Sequence, residues 1–147
     1  MITFHRVIRL AIVVMVLGGA AIAAPADISI SNGWIRALPS QEPAGGYFTL
    51  HNDTDNDVVL TGASSPACGM LMLHKTDVMS GMAEMNDVES VTVPAHTAFN
   101  FEPGKYHLMC MMPTAAIHPG NSVPVTLQFA GGKRASAPFL VRNAIGQ

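Results

Sequence analysis

An all-β sandwich or barrel is the fold class this chain predicts, and three observations carry it. Short apolar runs recur along the chain, clusters of turn-forming residues separate them, and no stretch shows a helical period of usable length. In order, the runs cover residues 28–31, 34–37, 46–51, 58–64, 71–78, 83–88, 97–101, 106–111, 123–129 and 135–141. Between them lie "LPSQEPAGG", "NDTDND", "SSPACG", "PAH", "EPGK", "HPGN" and "AGGK", all rich in Gly, Pro, Asn, Asp or Ser. Such residues turn the chain for distinct reasons: Gly accepts a left-handed backbone, Pro presets φ, and Asn or Asp bonds its own backbone. "NDTDND" reads as a solvated turn, because a calcium loop needs a longer pattern ending in Glu. With 147 residues and no internal repeat, low-complexity tract or linker, one core and one domain are expected.

The N-terminus reads as an export signal. Arg6 and Arg9 precede the apolar run "LAIVVMVL", and "GGAAIAA" follows with Ala21 and Ala23 in an A-x-A arrangement. Cleavage after Ala23 is expected, leaving a mature domain of residues 24–147 in the periplasm. The uncharged stretch 10–24 has 15 residues, short of the ~20 that span a bilayer, so no membrane span is expected after signal removal. The leader takes two basic residues and no acidic one, leaving six against ten, a net charge of −4. With no basic run either, nucleic acid is not an expected partner.

The distribution of sulfur is the informative feature. Eight of the ten methionines fall between Met70 and Met112, together with His74, His96 and His107, and the rest of the mature chain has none. Residues two apart on a strand share a face. In "YHLMCMM" this groups His107, Met109 and Met111 against Leu108 and Cys110. In "MLMLHKT" it groups Met70, Met72 and His74 against Leu71 and Leu73. "DVMSGMAEM" reads as a hairpin about Ser80-Gly81. Pairing Met79 with Met82 sets Thr76 opposite Met85, so Met85 shares the face of His74; a shift by one residue would reverse it. Two imidazoles and two thioethers, from His74, Met85, His107 and Met109, could thus converge on one surface from three strands. Thioether selects Cu(I), and imidazole suits copper in either state. In an oxidising compartment a thioether, unlike a thiolate, cannot be lost to a disulfide. Zinc, which favours Cys, His and carboxylate, fits less well.

These four residues form H-x10-M-x21-H-x-M, and the chain here resembles the periplasmic copper chaperones of the PCu(A)C type. The similarity runs through "WIRALP", "AGGYFTLHN", "SSPA", "VPAH", "PGKYHLM" and "HPGNSVPVTLQF", from about Ser31 to Phe129. The resemblance implies a cupredoxin-like Greek-key β-sandwich that holds one Cu(I) in an exposed site. It implies delivery of that copper to an oxidase subunit or its assembly factors for cytochrome c oxidase assembly, by a protein expected to be a monomer and not an enzyme. Some relatives carry a His/Met-rich C-terminal tail; "VRNAIGQ" has no such residues, so no second site is expected there. Met70, Met72 and Met111 lie on the ligand face outside the pattern and read as an apolar rim around it. Met79, Met82 and Met112 read as packing or rim residues.

Three readings of Cys68 and Cys110 stay open: a disulfide, two buried thiols, or Cys110 as an extra ligand. Export favours the first, but spacing alone does not bring the two Cα atoms within reach. His51, His96 and His118 sit at strand ends or turns and read as surface or capping residues. Trp34, Tyr47, Phe48, Phe99, Phe101 and Phe129 are assigned to the core. No G-x-S-x-G, H-E-x-x-H or C-x-x-C occurs. Two other functions compete: a blue-copper electron carrier, which needs a His₂Cys set, and a metal-free β-sandwich interaction module.

Overall fold

The computed structural model describes residues 26–147, so the export signal expected at 1–23 lies outside the described residues. Ten strands are present: β1 (Ile28–Arg36), β2 (Ala44–Asn52), β3 (Val58–Ser64), β4 (Cys68–Met79), β5 (Met82–Asp87), β6 (Val91–Val93), β7 (Thr97–Phe101), β8 (Tyr106–Pro113), β9 (Ser122–Phe129) and β10 (Arg134–Arg142). They run in space as β5-β4-β8-β2-β1-β10-β9-β3-β6, with β7 also paired to β2. A single pairing of Ala63 with Leu71 joins β3 to β4, which closes the path from β4 round to β3 into a flattened barrel. The first and last strands pair in parallel, Trp34 with Leu140 and Ile35 with Val141.

The expected all-β, single-domain sandwich is therefore present, with local differences that have physical causes. The runs at 28–31 and 34–37 are one strand, not two. Asn32 takes a left-handed φ of 54° and the register against β2 shifts between Ser31 and Trp34, a bulge that bends the strand without ending it. Strand β6 was not expected; its three residues bury Val91 and Val93 but are too few to show a period. A short 3-10 turn, Pro39–Gln41, occupies the Pro-rich loop after β1.

Alternation gives the core. Leu50, Leu60, Leu108, Val125, Leu127 and Phe139 are wholly buried, and Phe48 stacks on Phe101 with centroids 4.2 Å apart. The acidic turn is self-satisfied around buried Asn52. Its amide donates to the carbonyls of Asn56, Val93 and Pro94, and its Oδ1 accepts from Thr54. For the site, the consequential part is the β8–β4–β5 ribbon at one side of the barrel, where β5 is an edge strand with every residue exposed.

Candidate metal centre

Strands β4 and β8 pair so that His74 stands directly opposite His107, Met72 opposite Met109 and Met70 opposite Met111. Leu71 faces Cys110 and Leu73 faces Leu108 in the same ladder, and these four side chains are buried in the core. The His/Met set thus occupies one face and the leucines the other. The hairpin register is the one expected from Ser80-Gly81: Met79 pairs with Met82 and Thr76 with Met85. Ser80 and Gly81 both have positive φ, 53° and 80°, as a tight hairpin turn of this hand requires.

The two imidazoles meet edge to face, with centroids 5.7 Å apart, and each is held by one nitrogen. His107 is only 3% exposed, and its Nδ1 donates to the Lys105 carbonyl at 3.0 Å, which leaves the Nε2 lone pair free. Burial pushes its pKa below the usual histidine range, against the opposing effect of the Lys105 hydrogen bond and with a smaller push from His74. Its neutral form, the one that can bind a metal, is thereby favoured. His74 holds Asp87 through Nε2 at 2.7 Å. Its Nδ1 is buried and has no hydrogen-bond partner, an orphaned acceptor of a kind that is rare unless it has a function. A carboxylate on one imidazole nitrogen with the other left free is the usual arrangement around metal-bound histidines.

Met85, His107 and Met109 line a common cleft of about 310 Å³ with Arg36, Gly45 and Tyr47. His74 does not line it; its ring meets that of His107. Met85 is 61% exposed, whereas Met109 is half-buried. Gly45 pairs with Met109 across β2 and β8, and a Cβ there would collide with the Tyr47 hydroxyl, so glycine lets the ring lie beside the cleft. A larger groove of about 530 Å³ beside the 3-10 turn contains none of the four candidate ligands. The His118 Nδ1 at its edge already bonds the Pro119 carbonyl. His51 bonds Ser31 and His96 bonds Asp55, as surface or capping histidines do.

Cys68 and Cys110 form a disulfide, with Cα atoms 5.4 Å apart and no free cysteine left. This closes the three readings left open by spacing. It also removes the thiolate a blue-copper His₂Cys set requires. Among the described residues no three His, Cys, Asp or Glu side chains gather as a metal site, so any metal here would have to use thioethers.

Two features were missed. Asp87, which orients His74, follows from the same hairpin register that placed Met85, since His74 pairs with Asp87; a search confined to ligands passes over it. Tyr47 is buried and Trp34 half-buried, and the two also take part in a stack. Their rings lie 4.6 Å apart with the Arg36 guanidinium 5.4 Å from each and that of Arg142 over Trp34 at 5.0 Å, making a cation–π stack at the cleft. Sequence alternation marks such residues as apolar but cannot show that they stack with two guanidinium groups.

Comparison with known proteins agrees with this architecture. The family model described as "Putative lipoprotein LpqE-like" matches residues 28–141. A putative lipoprotein of Leifsonia xyli subsp. xyli is 26% identical, over 96% of this chain and 91% of its own length. The copper(I) form of DR1885 from Deinococcus radiodurans is 27% identical, covers 88% of this chain and 85% of its own, and superposes with a TM-score of 0.63. A copper-bound PCuAC domain from PmoF2 shares the fold at 20% identity, with a TM-score of 0.65, over 82% of this chain and 97% of its own.

Proposed function

From the premise that this chain belongs to the LpqE-like lipoprotein family, we propose that it is an exported copper chaperone. It carries one Cu(I) on His74, Met85, His107 and Met109 and passes that ion to the copper centre of cytochrome c oxidase or to its assembly factors. Copper here is cargo. The observation that carries the reading is the pair of adjacent imidazoles, each fixed through one nitrogen and free at the other. The copper(I)-bound relative supports the choice of ion, as does the softness of two thioether donors.

The transfer is ligand exchange. Nδ1 of His74 and Nε2 of His107 supply neutral nitrogen donors, and Met85 and Met109 supply neutral sulfur. None brings negative charge, so a recipient offering thiolates and imidazoles binds Cu(I) more strongly and draws it off. The recipient thiolates must reach the complex reduced. This chain's only two cysteines are joined to each other, so another protein has to supply the electrons.

The test uses the mature protein loaded anaerobically with Cu(I) and a reduced recipient domain. Wild type should metallate the recipient, and His107→Ala/Met109→Ala should not. In cells starved of copper, deletion should lower oxidase activity, with partial rescue by added copper. If the double variant restored oxidase activity as well as wild type at low copper, delivery through this site would be wrong.

A further inference from the structure

The face that carries His74 and His107 continues for two more rungs, and both are pairs of thioethers: Met72 opposite Met109, then Met70 opposite Met111. Successive rungs on one face are about 7 Å apart. The proposed first site uses the two imidazoles, Met109 and Met85, which leaves Met70, Met72 and Met111 side by side without a role. We propose that these three thioethers form a second, weaker Cu(I) site next to the first.

The reach is adequate. Opposed Cβ atoms in an antiparallel pair are about 4.5–5.5 Å apart and diagonal neighbours about 7–8 Å. Met spans such gaps with three rotatable bonds and a polarisable sulfur. Met72 and Met111 are half-buried against the sheet, and Met70 is 52% exposed, so the group has a fixed floor and one open side through which an ion can enter.

An apolar rim is the competing reading of these residues. A rim alone would be better served by Val or Ile, which pack on a pleated surface and do not oxidise, whereas an exposed thioether is open to sulfoxide formation. Met79 and Met82 do not join the group; they pair with each other at the far end of the β4–β5 hairpin. Met112, with a left-handed φ of 50°, leans over Gly69.

The experiment labels the methionine methyl groups with ¹³C and titrates the mature protein with Ag(I), a soft, redox-inert probe, followed by NMR. The first equivalent should move Met85 and Met109, and the second should move Met70, Met72 and Met111. Anaerobic Cu(I) titration against a chromophoric chelator should give two ions per wild-type chain. It should give one for Met70→Leu/Met72→Leu/Met111→Leu, which keeps apolar volume, and one for His107→Ala/Met109→Ala. A wild-type chain that takes one ion, lost in His107→Ala/Met109→Ala, would overturn the second site and leave the first standing. A triple Leu variant that still takes two ions would overturn it equally. One ion retained by His107→Ala/Met109→Ala and lost on adding the three Leu changes would establish the second site independently of the first.

Discussion

Removing the disulfide should separate what stabilises the barrel from what holds the site. Cys68 and Cys110 are 42 residues apart in sequence, and cross-linking a loop of that length removes roughly 13 cal/mol/K from the denatured chain, about 4 kcal/mol at 25 °C. Both residues are buried, Cys110 almost completely. Cys68→Ala/Cys110→Ala therefore also leaves a small void, which adds about 1 kcal/mol. Ala is the better choice because Ser would bury two hydroxyls. In urea, with a slope near 2 kcal/mol/M, the midpoint should fall by roughly 2.5 M. Cu(I) affinity of the folded variant should stay within about twofold of wild type, because the β4–β8 ladder itself sets His74 opposite His107. A stability loss under ~1 kcal/mol would refute the loop argument and mean that β4 and β8 remain associated in the denatured state. A parallel loss of copper affinity would mean that the disulfide, and not the ladder, holds the ligands in place.

Three further outcomes follow from the same geometry. Asp87→Asn should weaken Cu(I) binding by about 10- to 100-fold through loss of the carboxylate that orients His74, measured by competition with a Cu(I) chelator; unchanged affinity would remove Asp87 from the site. The copper-free protein should lose stability on acidification. The folded His107 takes up its proton below the ordinary value of about 6.5, so its contribution is complete above that pH and is lost as pH falls toward the lowered folded value. Urea melts from pH 7.5 to 5 should show this slope, and His107→Gln should flatten it. Intact-mass measurement of the exported protein should find a chain starting at Ala24; a chain retaining Met1 in the inner membrane would contradict the proposed cleavage.

Which His and Met side chains share a face was legible because it depends on two short-range rules, alternation along a strand and the geometry of a tight hairpin. Those rules put Met109 with His107 and Met85 with His74, and neither needs knowledge of which strands are neighbours. What was not legible depends on strand order. That β4 lies beside β8 decides that Cys68 can reach Cys110, and residues 80–105 lie between the two strands. The bulge at Asn32 was hidden because a two-residue interruption looks the same in sequence whether a strand ends there or bends. Tyr47 is buried, as expected, but its place beside the cleft was hidden: it depends on Gly45, two residues earlier on the same strand, lacking a side chain, and a Gly-Gly pair before an apolar run reads as a loop.

The four candidate ligands differ in how firmly they are held, and that gradient bears on the proposed release. His107 is buried in the sheet and tied to the Lys105 carbonyl; His74 is braced by Asp87. Met109 is half-buried beside Gly45 and Tyr47. Met85 alone projects from an edge strand whose six residues are all exposed and whose only partner among the described residues is β4. Edge elements with few buried contacts open at the lowest free-energy cost. In the proposed transfer, Met85 is therefore the donor that leaves first, exposing one coordination position to an incoming thiolate while the imidazoles and Met109 still hold the ion. A four-ligand cage buried on all sides would bind copper as well but would have to unfold to release it. In the proposed transfer, the exposed hairpin is what lets a rigid barrel give up its ion one bond at a time.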